Sequence, residues 1–183
     1  MEYFKKIVKE SVLIVIISSL LGLISGTVLS TNEGVLYAVP ILLLIFPALN
    51  SLIGDFAIIL ISRLTTHLYI GTIPPKIKKT KKLMTDFFGL LISISLSLIF
   101  LVVIGYGIAL TMKIEIINPL IVISLIALTV LVLFIILFIF LFISSVYIFR
   151  KGKDPNNFLI PTVTSLVDLL SPLLLIIFIQ IFI

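Results

Sequence analysis

Several kinds of chemistry are excluded by what this chain of 183 residues lacks. It contains no cysteine, which rules out disulfides, thiolate nucleophiles and thiolate metal sites. The single histidine, His67, argues against an imidazole metal cluster, and we expect it to be a solvated or interfacial residue. Charged residues make up only 11% of the chain and hydrophobic residues 61%, a composition outside the soluble range. The lipid bilayer is therefore its expected surrounding.

Five long apolar runs predict five transmembrane helices, because a helix needs roughly 20 apolar residues to cross a ~30 Å hydrocarbon core. These runs, spans one to five, cover about residues 11–29, 34–62, 87–112, 116–149 and 156–183. A lysine-rich cytoplasmic loop, 63–86, is predicted between spans two and three. The sequence thus predicts an all-α integral membrane protein with a single transmembrane domain over residues 1–183.

The basic residues predict the orientation, since Lys and Arg are retained on the cytoplasmic side of a membrane. With five crossings, every one of the 13 basic residues except Lys113 lies on the side of the N-terminus. We therefore expect the N-terminus in the cytoplasm and the C-terminus outside. Because these residues lie between apolar runs and not on one soluble face, nucleic acid is not expected as a partner.

Two carboxylates, Asp55 and Asp168, lie inside the predicted spans, which contain no Lys or Arg. A carboxylate in hydrocarbon must be protonated, hydrated or compensated by a cation, since its isolated charged form costs several kcal/mol. Polar residues in membrane helices also serve as packing contacts, but packing does not require a charge. The unpaired carboxylates therefore indicate an ion pathway.

Asp168 lies on a polar stripe that covers roughly 120° of span five. Its members are Asn157, Pro161, Thr164, Ser165, Asp168, Ser171 and Pro172. Pro172 removes the amide that would bond the main-chain carbonyl of Asp168, so this carbonyl must find water, a hydroxyl or a cation. Span two carries a similar stripe within about 140°, which would be able to face the first. It consists of Pro40, Pro47, Asn50, Ser51, Gly54, Asp55 and Ser62.

The available ligand types favour a divalent cation. Carboxylates, carbonyls, amides and hydroxyls are hard oxygen donors, which suit Mg²⁺, Ca²⁺ or Mn²⁺. One Asp per chain cannot enclose Ca²⁺, whereas Mg²⁺ keeps much of its water and is often held through one or two carboxylates. If two chains met about a two-fold axis, their Asp168 side chains would converge on one ion. Asp154, which precedes Pro155 as a helix cap would, is expected to form an acidic cytoplasmic rim with Asp86.

Two segments resemble the MgtE magnesium transporters and channels and their solute-carrier relatives in animals. They are FPALNSLIGDFAIILISRLTTHLYIG in span two and GKDPNNFLIPTVTSLVD at span five. The resemblance implies a homodimer whose pore is lined by spans two and five, with Asp168 as the pore aspartate and Asp154 and Asp86 at the cytoplasmic rim. Asp55 stands where many relatives have Asn, which would alter selectivity or coupling. About ten residues precede span one, so the family's cytoplasmic sensor domains are not expected.

The sequence therefore predicts transport of a divalent cation, Mg²⁺, across the plasma membrane of a prokaryote. An enzyme is not expected, since the chain has no HExxH motif and no Ser/His pair at membrane depth. Mg²⁺ is expected as the bound and transported ion, and no catalytic cofactor is expected. The predicted pathway residues are Asp168, Asp55, Asn50, Thr164 and Pro161. The predicted metal ligands are Asp168, Asp154, Asp86 and Thr164. Two alternatives remain open, a non-transporting membrane anchor or assembly subunit and an exchanger of another cation such as Na⁺ or H⁺.

Overall fold

A computed structural model describes the backbone of residues 2–115 and 118–182, and the side chains of residues 8, 12, 14–115 and 118–182. Every described element is a helix. The helices are α1 (Glu2–Thr31), α2 (Glu33–Tyr37), α3 (Pro40–Ile70), α4 (Lys81–Thr111), α5 (Pro119–Arg150) and α6 (Pro155–Phe182). The side chains of Lys5, Lys6 and Lys9, which contribute to the predicted orientation, lie outside the described part, as do residues 116 and 183 at the predicted ends of spans four and five.

Five of these helices, α1, α3, α4, α5 and α6, are long and apolar enough to cross a membrane, which confirms the predicted number of spans. The last four contain 28 to 32 residues each, or about 42 to 48 Å of helix. They are longer than a ~30 Å hydrocarbon core, so they must tilt or project into the headgroup layer.

The helix ends follow from local sequence. α4 begins after Thr80, whose hydroxyl accepts a hydrogen bond from the Leu83 amide at 3.2 Å. At the start of α6, Oδ1 of Asp154 accepts from the Asn156 amide at 2.9 Å, and Pro155 occupies the first helical position. This hydrogen bond confirms the cap predicted from the Asp-Pro pair. Proline suits the first helical position because an amide there would have no helical partner.

The second span and the loop after it differ from the predicted bounds. α3 begins at Pro40 and not at residue 34, since the residue before a proline is disfavoured in the helical region and Val39 lies at φ −133° and ψ 77°. The helix then continues through Pro47 to Ile70, where Gly71 ends it at φ 78°. The predicted loop 63–86 therefore shrinks to residues 71–80, and its two ends are helical.

α3 and α6 form the centre of the bundle. α6 packs against α1, α3 and α5, whereas α3 packs against α4, α5 and α6. Four phenylalanines, of which Phe134 is fully buried, pack α3, α4 and α5 together. They are Phe56, Phe87, Phe134 and Phe138. The ring centroids of the contacting pairs lie 4.8 to 6.1 Å apart. This core leaves α1 attached mainly to α6 and α4 mainly to α3.

The helices α1 and α6 run in the same direction. Ser18 contacts Pro161 and Ser25 contacts Asp168, so a step of seven residues along one helix matches the same step along the other. Parallel first and last spans require an odd number of crossings. The beginning of α1 and the end of α6 therefore lie on opposite sides of the bundle.

Candidate functional site

Asp168 lies near the middle of α6, about 20 Å along the helix from Pro155. Its Oδ1 accepts a hydrogen bond from Nδ2 of Asn50 at 2.6 Å, which joins α6 to α3. The Asp168 side chain is nevertheless exposed on the surface of the single chain, whereas Asn50 is half-buried. The structure thus brings together one residue from each of the two predicted polar stripes.

The main-chain carbonyl of Asp168 has a partner from a third helix. Pro172 cannot donate to this carbonyl, because proline has no amide hydrogen. The buried hydroxyl of Ser25 in α1 donates to it instead. The prediction was that this carbonyl would find another donor, and a hydroxyl is that donor. Residues of α1, α3 and α6 therefore all meet at Asp168.

A second contact of the same kind lies one step of seven residues earlier along α6. The Pro161 carbonyl accepts from the Thr164 hydroxyl at 3.0 Å and from the Ser18 hydroxyl at 3.4 Å. The predicted pathway residues Pro161 and Thr164 are both half-buried and lie on the same side of α6 as Asp168. They therefore extend the polar surface around Asp168 along the helix.

Two buried oxygen atoms near Asp168 find no hydrogen-bond partner among the described residues. They are Oδ1 of Asn50 and the hydroxyl of Ser171, which is fully buried. A buried polar atom without a partner is costly, and a water molecule or an ion at this place would relieve that cost. The Asn50 oxygen and the Asp168 carboxylate are both hard donors of the type that Mg²⁺ accepts.

Asp55 lies apart from this group. Together with Ser51 it lines a cavity between α3 and α4, to which α6 contributes no residue. Asp55 follows Asn50 by five positions, which is about 140° around a helix. Among the described residues, the hydrogen bond of Asn50 with Asp168 is the one that joins the two stripes. The predicted grouping of Asp55 with Asp168 in one pathway does not correspond to a contact.

Asp86 is buried and already paired, which differs from the expected rim position. Its side chain is 0% exposed, and Oδ1 accepts from Arg63 at 2.6 and 3.1 Å. Nε2 of His67 lies 3.0 Å from Oδ2. His67, expected to be solvated or interfacial, is half-buried beside Asp86, with 13% of its side chain exposed. Both contacts arise because α3 continues to Ile70, which places Arg63 and His67 beside Asp86 in α4.

Asp154 is half-buried and caps α6. Within the described residues no group of three or more His, Asp or Glu side chains could hold a metal ion, so Asp154, Asp86 and Asp168 do not form one site. A single chain therefore offers a cation at this place one carboxylate, that of Asp168, together with neutral oxygens. Such a set suits a cation that retains most of its water.

The sequence interpretation did not identify Ser18, Ser25, Arg63 or His67 as contacts of the predicted residues. A signal for the two serines was present, because their spacing of seven equals that of Pro161 and Asp168 and puts each pair on one helix face. Small and hydroxyl residues at such spacing are typical of close helix packing in membranes. For Arg63 and His67 the signal was their spacing of four, which also puts them on one face.

The fold defines a multi-pass α-helical membrane protein. In the middle of one spanning helix, the Asp168 carboxylate has no ion-pair partner among the described residues. Residues 46–178, well over half of the chain, match MgtE, a divalent cation transporter family. This range includes Asn50, Asp55 and the whole polar stripe of α6. The chain belongs to the MgtE family of divalent cation transporters, which is not an enzyme family. No curated protein and no solved structure gives a match.

Proposed function

We propose that this protein transports Mg²⁺ as a homodimer, along a path that passes Asp168 of each chain. The observation that carries the proposal is the exposure of Asp168 on a single chain at the middle of a spanning helix. A carboxylate in that position would face lipid unless water or a second chain covered it. Two copies related by a two-fold axis through the exposed face of α6 would give a central site two carboxylates.

The ion follows from the ligands. Asp168 supplies a charge, while the Thr164 hydroxyl and the unpartnered oxygen of Asn50 supply neutral donors on the same polar surface. Mg²⁺ dehydrates reluctantly and is commonly bound through one or two carboxylates with several waters, so a site with one carboxylate from each chain suits it. We leave Asp86 out of the ligand set because its buried carboxylate is already in contact with Arg63 and His67. Asp154 is retained as an acidic residue at the entrance beside its role as a cap.

The lysine residues support a proposal for the location and orientation of the protein. The loop at residues 71–80 and the start of α4 carry five lysines, which would contact anionic headgroups on the cytoplasmic side. They are Lys76, Lys78, Lys79, Lys81 and Lys82. We therefore propose the plasma membrane of a prokaryote as the location, with the N-terminus in the cytoplasm.

Transport is tested with the purified chain in proteoliposomes that enclose a Mg²⁺-sensitive dye. We expect wild-type protein to admit Mg²⁺, and Asp168→Asn to reduce uptake to the level of empty vesicles, because the charge at the centre of the path is lost. Glu33→Gln is the matched control, since it removes an exposed carboxylate outside the long helices. Gradients of Ca²⁺, Mn²⁺ and Na⁺ measure selectivity. Undiminished Mg²⁺ uptake by a folded Asp168→Asn protein would show the proposal to be wrong.

The dimer is tested separately by cross-linking, which the absence of native cysteine makes simple. Asn157 is exposed on α6 and shares the polar stripe of Asp168, so Asn157→Cys should form an oxidised dimer in membranes. Tyr147→Cys, on a part of α5 that is also exposed at 58%, should remain monomeric on a denaturing gel. Equal cross-linking of the two variants would contradict an axis beside α6.

A further inference from the structure

A second polar site lies between α3 and α4, in a cavity of about 520 Å³. Asp55 and Ser51 line it from α3, and Ser93 and Ser97 line it from α4. The other lining residues are apolar or glycine. These four side chains are therefore the polar part of a mostly hydrophobic cavity lining.

The polar groups lie near the middle of both helices. Asp55 is the central residue of α3 (Pro40–Ile70), and Ser93 and Ser97 flank the centre of α4 (Lys81–Thr111). Because both helices span the membrane, the cavity lies close to the midplane of the bilayer. Polar and ionisable groups at this depth are associated with ion sites and proton relays.

Asp55 has no compensating charge. Among the described residues its carboxylate makes neither an ion pair nor a hydrogen bond, and it is the one titratable group that lines the cavity. The other titratable groups of α3 and α4 lie outside the cavity lining, and they are Arg63, His67, Tyr69, Lys81, Lys82, Asp86 and Tyr106. A second copy of the chain would not supply a charge, since no Lys or Arg lies in the middle of any span. The remaining source of positive charge is a small ion.

The hydroxyls around Asp55 have free lone pairs. Ser93 donates to the Gly89 carbonyl at 2.9 Å, which leaves its oxygen able to accept or to bind a cation. Ser51 and Ser97 are exposed to the cavity, and neither hydroxyl bonds to another described residue. The set contains one negative charge and three neutral oxygens, so one elementary positive charge neutralises it.

We propose that the cavity between α3 and α4 binds a monovalent cation, Na⁺ or a proton, at Asp55, separately from the site at Asp168. Asn50 and Asp55 face different neighbours of α3, so the two sites lie on either side of the same helix. The inference depends on the intramembrane position of Asp55 and not on the role proposed for Asp168. A path for a divalent ion and a site for a monovalent ion would then share α3 as a common wall.

Two measurements on the purified full-length chain distinguish the two ions. Binding of ²²Na⁺ reports Na⁺, with N-methylglucamine replacing Na⁺ at constant ionic strength. The infrared carbonyl band of a protonated carboxylic acid at neutral pH reports a proton. We expect wild-type protein to give one of these signals, Asp55→Asn to lose it, and Asp168→Asn to keep it while losing Mg²⁺ uptake. The failure of this inference and the failure of the proposed transport site are thus separable.

A second pair of variants leaves the charge in place. Ser97→Ala removes a hydroxyl that lines the cavity, whereas Ser95→Ala removes one that bonds to the Leu91 carbonyl at 2.7 Å outside the cavity. We expect Ser97→Ala to weaken Na⁺ binding by about tenfold or to shift the carboxylic acid band, and Ser95→Ala to do neither. These variants also decide the question if Asp55→Asn does not fold. The absence of both signals in wild-type protein, or a signal unchanged by both Asp55→Asn and Ser97→Ala, would overturn the proposal.

Discussion

The main-chain carbonyl of Asp168 illustrates what a proline does within a membrane helix. Pro172 removes one donor from α6, and in lipid no water is at hand to replace it. The hydroxyl of Ser25 replaces that donor from a neighbouring helix. The position of the Asp168 side chain is consequently fixed from two sides, by Ser25 at the backbone and by Asn50 at the carboxylate.

Replacing Ser25 with Ala should lower both stability and transport. The carbonyl would lose its donor, which we expect to cost about 0.6 to 1 kcal/mol of unfolding free energy in detergent micelles, within the range for hydrogen bonds between membrane helices. Mg²⁺ uptake should fall as Asp168 loses its fixed position. Thr27→Ala is the control, because that hydroxyl bonds within α1 to the Leu23 carbonyl at 2.8 Å. Identical unfolding energies for the two variants would contradict the assigned role of Ser25.

Asp86 shows why residue type alone did not define the candidate site. An acidic residue at the predicted start of a span suggests a solvated rim, but its partners lie 23 residues earlier, at Arg63, and 19 earlier, at His67. Whether they meet depends on where α3 ends. That end was predicted at Ser62, since Arg63 follows it as the first basic residue after the apolar run.

At the scale of helices, α3 and α4 pack closely at Gly105. A Cβ atom built at this position would lie 2.8 Å from Cγ1 and 2.9 Å from Cδ1 of Ile45, both well inside van der Waals distance. Ile45 is only 2% exposed and has little room to move. The absence of a side chain at residue 105 therefore allows the two helices to pack at this distance.

Gly105→Ala should destabilise the protein by about 1–3 kcal/mol, the typical cost of overpacking. Gly107→Ala on the same helix is the control, since its added Cβ would have no atom within 4 Å. The control should be neutral or stabilising by up to about 1 kcal/mol, as alanine is a better helix former. In a protein that already carries Ile45→Ala, Gly105→Ala should cost less unfolding free energy than it does in the wild type. A double-mutant cycle measures this coupling. Additive effects of the two changes would argue against the contact.

What the sequence predicted at this scale depends on local patterns. The number of spans follows from the lengths of apolar runs, and the start of α6 follows from Asp154 and Pro155. The interhelical contacts do not follow in this way, because Asn50 and Asp168 are 118 residues apart and Ser25 and Asp168 are 143 apart. Such pairs are fixed by the register of the whole bundle. A polar stripe predicts that a face is special, but not which residue of the neighbouring helix it meets.

At the scale of the whole molecule, the charge distribution and the helix directions support each other. The parallel contacts of α1 and α6 require an odd number of crossings. With five crossings the basic residues fall on one side, apart from Lys113. An even number of crossings would distribute them over both sides, against the retention of Lys and Arg in the cytoplasm.

The proposed orientation is tested by labelling single cysteines with a membrane-impermeant maleimide in intact cells. Lys79 in the loop at residues 71–80 and Met112 after α4 are both exposed, and the chain has no other cysteine to react. We expect Met112→Cys to be labelled from outside and Lys79→Cys only after the cells are opened, because eleven other basic residues still hold that side in the cytoplasm. The opposite pattern would reverse the orientation, and labelling of both in intact cells would contradict a membrane-spanning α4. Since each variant serves as the control for the other, a difference in labelling cannot arise from exposure alone.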